Sequence, residues 1–129
     1  MNKQAGGLVV YIVDDDAAVR GGFARLIRSA GLEPRPYGSA EQFLDEVVDA
    51  PRACILLDIT LPHLTGPQVQ ERLNARGIGL PVITVSARDD PETRAWARDL
   101  GAKLFLRKPV DDQALLDAIS WVTGSAKGQ

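Results

Sequence analysis

Short apolar runs alternate with amphipathic stretches along the whole chain. Three runs are apolar at almost every position, which is typical of strands buried on both faces of a parallel sheet: 8–13, 53–57 and 81–85. Two more polar runs, 32–37 and 102–108, also have the length of strands. Apolar positions at helical spacing follow each run and predict five helices: 17–30, 40–49, 67–76, 91–101, and a last one from a cap at Asp111 or Asp112 to 123.

The second run contains Pro34 and Pro36, which lack the N–H group that a central strand needs. Their spacing of two directs both missing donors to one side, so an edge strand tolerates them. Strand and helix alternate throughout, which predicts a parallel sheet with helices on both faces, joined by right-handed crossovers. With the proline strand at an edge and the apolar strands inside, the flavodoxin-like order 2-1-3-4-5 is favoured over 3-2-1-4-5. We therefore predict a single doubly wound (βα)5 domain of the α/β class.

Polar side chains stand where the predicted strands end. They are Asp14, Asp15 and Asp16 after the first strand, Asp58 after the third, Ser86 after the fourth and Lys108 after the fifth. These side chains converge beside the point where the strand order reverses, because the carboxyl ends of parallel strands lie along one edge. Converging carboxylates repel each other, and Mg²⁺ relieves that repulsion through oxygen ligands. A carboxylate nucleophile, a divalent cation, a lysine and a hydroxyl are what phosphoryl transfer to aspartate requires.

Length and composition narrow the class of protein. The 129 residues suit one domain, and 45% hydrophobic residues are enough for a core. Fifteen basic and seventeen acidic residues give a net charge of −2, which argues against nucleic-acid binding by this domain. No apolar run approaches the ~20 residues of a membrane span, and the N-terminus lacks the apolar segment of a signal peptide. The single cysteine, Cys54, cannot form an internal disulfide and suits a reducing cytoplasm.

Four motifs in this order and at these spacings resemble the receiver domain of two-component response regulators. They are IVDDD at 12–16, LLDITLPHLTG at 56–66, PVITVSA at 81–87 and FLRKPV at 105–110. The phrases YGSAEQFL and KPVDDQALLDAI are similar to the FixJ-like branch, whose members often continue into a DNA-binding helix-turn-helix. The resemblance implies a receiver domain over 8–123, an N-terminal extension over 1–7, and a tail or the start of a linker over 124–129.

The resemblance also implies roles for the acidic side chains. Asp58 is expected to be the phosphoacceptor, which receives the phosphoryl group of a sensor histidine kinase or a phosphotransfer protein. The expected ligands of Mg²⁺ or Mn²⁺ are Asp15, Asp14, Asp58 and the backbone carbonyl of Thr60, with Asp15 a more direct ligand than Asp14. Thr60 and Arg88 flank the site, and we hypothesise that Arg88 affects the access of water.

A switch is implied on the other side of the site. Lys108 and Ser86 complete the catalytic set, and the bond from Lys108 to the following proline is commonly cis in the family. Ser86 and Phe105 hold the two switch positions, and their movement changes the surface of helix 4, strand 5 and helix 5. A phosphorylation-dependent homodimer is expected through that surface. Phe105 lacks the hydroxyl group that many members have, so its switch works by packing. Beyond its own phosphorylation and dephosphorylation, the domain is not expected to be an enzyme.

Two other functions fit parts of the pattern. A haloacid-dehalogenase-like phosphatase would use Asp14 as the nucleophile of an Asp14-x-Asp16 motif. However, Ala18 replaces the expected Thr or Val, and no acidic motif follows Lys108 at a strand end. A receiver that serves only as a constitutive docking module is disfavoured by the intact acidic pair. Mapping the phosphorylated aspartate separates the phosphatase from the receiver.

Several side chains have simpler interpretations. Asp16 is better explained as the N-cap or a first-turn acid of the first helix than as a metal ligand. Cys54 is expected to be a small buried residue of the third strand, and His63 a solvated loop residue. Trp96 and Trp121 are expected in or beside the core, with a docking face as the alternative.

Overall fold

One five-stranded parallel sheet forms the centre of the protein, in the order β2-β1-β3-β4-β5. The computed structural model describes residues 7–87 and 91–124. Strands and helices alternate along them: β1 Val9–Val13, α1 Ala17–Ser29, β2 Glu33–Tyr37, α2 Ala40–Glu46, β3 Ala53–Asp58, α3 Gly66–Ala75, β4 Val82–Ser86, α4 Pro91–Asp99, β5 Leu104–Arg107 and α5 Asp112–Thr123. The strand order confirms the predicted flavodoxin-like (βα)5 fold, and most boundaries lie within two residues of prediction.

Helices cover both faces of the sheet because side chains alternate in direction along each strand. On β1, Tyr11 and Val13 belong to a core that α2 and α3 complete. Val10 and Ile12 belong to a second core, which α1 and α5 complete and in which Cys54 is buried as predicted. Strands β1, β3 and β4 are buried at nearly every position, so the three apolar runs of the sequence are the central strands.

The proline-containing strand β2 lies at the edge of the sheet, as predicted. Its ladder bonds with β1 come from residues on either side of the prolines. The N–H of Glu33 donates to the carbonyl of Leu8 at 3.0 Å, and the carbonyl of Tyr37 accepts from Asp14 N–H at 3.1 Å. Because bonding positions recur every two residues, Pro34 and Pro36 direct their backbone nitrogens away from β1. The missing donors therefore cost no bond within the sheet.

Helix α2 is shorter than predicted, since it ends at Glu46 and not at 49. In a continued helix, the N–H of Val48 would donate to the carbonyl of Leu44. That carbonyl instead accepts from Arg76 Nη1 at 2.7 Å, and the N–H of Val48 faces the Tyr11 hydroxyl at 3.5 Å. Val48 is 57% exposed, so its predicted place on the apolar side of the helix is wrong. A contact from Arg76, the C-cap residue of α3 and distant in sequence, thus takes the carbonyl that the next helical bond would need.

The two tryptophans lie at the surface, with 44% of Trp96 and 64% of Trp121 exposed. Their predicted place in or beside the core is therefore wrong. Helix α4 turns Ala97 inward and α5 turns Ile119 inward, and neighbouring positions on a helix rotate away by about 100° per residue. His63 is exposed in its loop, as predicted. None of the helices in 7–87 and 91–124 is long and apolar enough to cross a membrane.

Candidate functional site

Three carboxylates meet at the carboxyl edge of the sheet. Asp14 and Asp15 follow β1, Asp58 is the last residue of β3, and one oxygen of each lies within 4.8 Å of the others. The pairing of Val13 with Leu57 explains the approach, because Asp14 and Asp58 are the next residues on two neighbouring strands. Asp14 and Asp58 are buried, at 2% and 4% exposure, whereas Asp15 is exposed. The predicted convergence of these acids is confirmed.

Lys108 places a cation against the two buried acids. Its Nζ lies 2.8 Å from Asp14 Oδ2 and 3.5 Å from Asp58 Oδ2. Its backbone N–H donates to the carbonyl of Ser86 at 2.8 Å, which extends the alignment of β5 with β4 beyond Arg107. The peptide bond from Lys108 to the following proline is cis. Among the described residues, Lys108 is thus the lysine that contacts Asp14 and Asp58, and with Asp15 the cluster holds three carboxylates against this one ammonium group.

The surroundings of Asp58 set both its charge and its orientation. Burial raises the pKa of its carboxyl group above the ordinary value, and the nearby Asp14 charge adds to this, against the opposing effects of Thr60 and Lys108. The backbone N–H and the hydroxyl of Thr60 both donate to Asp58 Oδ1, each at 3.1 Å. Oδ1 is thus held by Thr60 while Oδ2 faces Lys108.

The pKa of Lys108 is raised in the folded protein. Burial alone would lower it, but the hydrogen bond to Asp14 and the charges of Asp58 and Asp14 outweigh burial. The lysine is therefore held in its charged form. An ammonium group that keeps its charge at this position is a fixed positive charge beside Asp58.

Asp16 belongs to the helix and not to the acidic cluster. Its Oδ1 accepts from the backbone N–H groups of Ala18 at 2.9 Å and Val19 at 3.2 Å, so Asp16 is the N-cap of α1. Its own N–H donates to Asp14 Oδ1 at 2.9 Å. The predicted N-cap role of Asp16 is confirmed, and Asp16 is not part of the cluster that Asp14 and Asp15 form with Asp58. This separation also argues against the phosphatase hypothesis, in which Asp14 and Asp16 would serve one site.

The two expected switch residues lie on neighbouring strands. Ser86 ends β4, is buried, and pairs with Arg107 of β5 in the sheet register. Asp58 pairs with Val85, so Ser86 is one position further toward the carboxyl edge. Phe105 lies half-buried on β5, with the guanidinium of Arg94 4.9 Å from its ring centre. Arg88, expected to flank the site, falls outside the described residues.

Sequence reasoning missed two contacts to the acidic loops. Arg20 on α1 donates from Nη1 to the backbone carbonyl of Asp14 at 2.8 Å. Gly66 packs so tightly that a Cβ there would lie 2.8 Å from Ile59 Cα and 3.0 Å from the carbonyl of Asp58. Its N–H also donates to the carbonyl of Ile59 at 2.9 Å. The sequence signal for Arg20 was a basic residue one turn into α1, and the signal for Gly66 was a glycine directly before the proline that begins α3. Both patterns are common in sequences.

The donor set fits a hard divalent cation. Three carboxylates supply oxygen atoms at short mutual distances, and the net negative charge left by one lysine favours a cation over water alone. Oxygen ligands with an open, partly exposed side are what Mg²⁺ and Mn²⁺ take in proteins. The residues present therefore fit the metal that the sequence predicted.

The fold and the acidic edge together define a receiver domain, and comparison with known proteins gives the same class. The family model of the response regulator receiver domain matches residues 10–120, so the chain belongs to this family. Receiver domains are the phosphoacceptors of two-component systems. The chain is 38% identical over 122 residues to the transcriptional regulatory protein FixJ of Azorhizobium caulinodans, covering 95% of this chain and 58% of that protein. It is also 38% identical over 118 residues to the transcriptional regulatory protein TdiR of Thauera aromatica, covering 92% and 52%.

Solved structures support the same placement within the family. The response regulator StyR superimposes with a TM-score of 0.83 at 37% identity, over 92% of this chain and 60% of that one. The isolated FixJ-N structure gives a TM-score of 0.81 at 26% identity, over 91% of this chain and 94% of that one. The chain thus falls in the FixJ-like branch, as the sequence predicted. It spans little more than half the length of FixJ and TdiR.

Proposed function

We propose that Asp58 is the phosphoacceptor of this receiver domain. Its carboxylate attacks the phosphorus atom of a phosphohistidine on a sensor histidine kinase or a phosphotransfer protein. The new P–O bond forms as the P–N bond breaks, and the imidazole leaves. The observation that carries the proposal is the asymmetric fixing of the Asp58 carboxylate, with Oδ1 held by Thr60 and Oδ2 facing the Lys108 ammonium.

Mg²⁺ or Mn²⁺ would be held by Asp15, Asp14, Asp58 and the backbone carbonyl of Thr60. When bound, the cation neutralises negative charge that develops during phosphoryl transfer. The protein's part is to keep the carboxylates together at the edge of the sheet before the cation arrives. Exposed Asp15 is the ligand open to solvent, whereas Asp14 is committed to Lys108, which is why Asp15 is proposed as the more direct ligand.

After transfer, Lys108 and Ser86 would bind the phosphoryl oxygens, the lysine as a charge and the serine as a hydroxyl donor. Movement of Ser86 leaves room for Phe105 to pack inward. The guanidinium of Arg94 lies over the Phe105 ring, so this movement would also shift α4. The α4–β5–α5 surface would change, and a homodimer would form there on phosphorylation.

The chemistry proposed for this domain is limited to its own phosphorylation and dephosphorylation. Thr60 and Arg88 flank the site, and we propose that Arg88 controls how water reaches the acyl phosphate. An Arg88→Ala variant should therefore dephosphorylate at a changed rate. An unchanged rate would remove Arg88 from the mechanism.

We propose that residues 8–123 are the receiver, with an extension over 1–7 and a tail or the start of a linker over 124–129. FixJ and TdiR are described as transcriptional regulatory proteins and are nearly twice the matched length. A longer protein containing this receiver would carry a DNA-binding output domain and act in the cytoplasm. The net charge of −2 gives the receiver itself no electrostatic basis for binding DNA.

Phosphorylation with a small phosphodonor and Mg²⁺, followed by mapping of the phosphoaspartate, tests the assignment. The label is expected on Asp58, and a label on Asp14 would refute it. Three matched variants grade the acidic residues: Asp15→Asn should abolish phosphorylation, Asp14→Asn should weaken it and Asp16→Asn should do least. Sedimentation with and without beryllofluoride and Mg²⁺ tests the dimer.

A further inference from the structure

Each polar group of Asp14 has a partner, and the four partners lie in different parts of the fold. Its N–H donates to the carbonyl of Tyr37 on β2, and its Oδ2 contacts Lys108. Its Oδ1 accepts from the N–H of Asp16. The remaining group, the backbone carbonyl, accepts from Arg20 Nη1 at 2.8 Å, a contact that the proposed mechanism does not use.

Helix α1 delivers Arg20 to this carbonyl. The N–H of Arg20 donates to the carbonyl of Asp16 at 2.9 Å, so Arg20 lies one turn after the N-cap. Asp16 caps the helix and thereby also fixes the backbone position from which the Arg20 side chain extends. The Arg20 side chain is half-buried and turns back over the start of its own helix to reach Asp14.

The guanidinium of Arg20 lies against the space that a side chain at position 38 would occupy, and Gly38 leaves this space open. A Cβ at this position would be 3.1 Å from Arg20 Nη1, 3.4 Å from Cζ and 3.7 Å from Nη2. Gly38 is not among the glycines with positive φ, so its backbone conformation is open to any residue. The missing side chain is therefore needed for space and not for conformation. Gly38 directly follows Tyr37, whose carbonyl holds the N–H of Asp14.

We propose that Arg20 is a positioning residue of the metal site and that Gly38 is part of the same device. The guanidinium fixes the Asp14 backbone from α1, as Tyr37 fixes it from β2, so that the Asp14 carboxylate keeps its place beside Asp58. This inference rests on the proposed function, in which Asp14 helps to bind the cation. Partners that orient metal ligands typically change metal affinity by about 10- to 100-fold when they are lost.

Arg20 could instead affect the metal site only through its positive charge, and two variants distinguish this charge role from a positioning role. A guanidinium that mattered only as a charge would oppose a divalent cation, so Arg20→Met would tighten Mg²⁺ binding, and Gly38→Ala, which keeps the charge, would change nothing. A positioning role predicts the reverse for both variants. Gly38→Ala should push the guanidinium aside and weaken binding, although it changes no charge and no polar group.

The test is calorimetric titration of the full chain with Mg²⁺ alone, together with urea unfolding in EDTA. We expect Arg20→Met to weaken Mg²⁺ binding by about tenfold, and Gly38→Ala, which displaces the guanidinium without removing it, to weaken binding by less. Gly38→Ala should have no further effect in the Arg20→Met background, because both changes act on one contact. Arg25→Met, which removes an exposed charge from the same helix, and Gly79→Ala, which has open space around its Cβ, are the matched controls and should bind as wild type.

Several results would overturn the proposal. Wild-type affinity in both variants, with only the unfolding midpoint changed, would reduce Arg20 to a structural contact. Tighter binding by Arg20→Met would make it a charge effect, and additive losses in the double variant would separate Gly38 from Arg20. A wild-type protein that binds no Mg²⁺ would refute the metal site itself. A wild type that binds Mg²⁺ and is phosphorylated on Asp58, with unaffected variants, would refute only the role of Arg20.

Discussion

Replacing Asp58 by asparagine should make the metal-free protein more stable. The carboxylate oxygens of Asp14 and Asp58 lie within 4.8 Å of each other, and unit charges at that separation repel by ~3.5 kcal/mol at an effective dielectric constant of about 20. Lys108 Nζ, 3.5 Å from Asp58 Oδ2, offsets this repulsion with an attraction of ~4.7 kcal/mol on the same scale. The attraction exceeds the repulsion by only ~1.2 kcal/mol, so the variant gains stability if burying the carboxylate costs more than that.

Burial is the largest reason why the pKa of Asp58 is raised. Asparagine avoids that cost, and its amide oxygen can keep both hydrogen bonds from Thr60. We expect Asp58→Asn to raise the free energy of unfolding by about 1–2 kcal/mol at pH 7 in EDTA. A raised pKa means that the wild type loses stability as the pH rises through that pKa. The advantage of the variant should therefore vanish below the ordinary carboxyl pKa of 3.8, where both proteins are neutral at this position.

Urea unfolding followed by tryptophan fluorescence measures this difference, with Asp45→Asn on the exposed side of α2 as the control. Mg²⁺ should reverse the order, because a cation at 100 times its dissociation constant adds ~2.7 kcal/mol to the wild type and less to a variant that lacks one ligand. If Asp58→Asn were less stable than wild type in EDTA at pH 7, the assumed balance of burial and charge would be wrong.

Three further changes test the surrounding structure. Gly66→Ala should lower the free energy of unfolding by about 1–3 kcal/mol in urea, because its Cβ would meet the Ile59 backbone at 2.8 Å; an unchanged value would contradict the close packing. Asp16→Ala should cost about 1 kcal/mol as a lost N-cap, and a neutral result would contradict the capping role. Burial raises the pKa of the Cys54 thiol to about 12, so iodoacetamide at pH 8 should label it in urea but not in the native protein. Equal labelling rates would show that the thiol is accessible.

The fold was predictable because its signals are local and repeat along the chain. Two prolines placed β2 at the edge, and uninterrupted apolar runs placed β1, β3 and β4 inside. The end of α2 was not predictable, because the side chain of Arg76, directly after α3, binds the carbonyl of Leu44 in the last turn of α2. The exposure of Trp96 and Trp121 was missed for a similar reason. Periodicity identifies an amphipathic helix, but packing against neighbouring elements decides whether a residue at the border of its apolar face is buried or exposed.

The candidate site was predictable as far as topology determines it. The carboxyl ends of parallel strands lie at one edge of the sheet. Residues widely separated in sequence, such as Asp14, Asp58 and Lys108, could therefore be predicted to lie close together. The contacts that orient them were beyond sequence reasoning. Arg20 looks like any basic residue of an amphipathic helix, and Gly38 like any glycine after a strand. Their relation depends on a side chain that turns back and on a Cβ that is missing.

These contacts explain why the protein can keep an acidic cluster at the end of a buried strand. Within residues 7–87 and 91–124, two buried carboxylates contact one lysine, Lys108, and a third carboxylate lies beside them, so in the absence of a cation the cluster works against folding. The surrounding residues hold it together with hydrogen bonds. Thr60, in the loop after β3, donates to one oxygen of Asp58, and Arg20 on α1 donates to the backbone carbonyl of Asp14. The same bonds that offset the repulsion also preset the positions of the ligands. A change that relaxes the cluster, such as Asp58→Asn, should therefore gain stability and lose the site together.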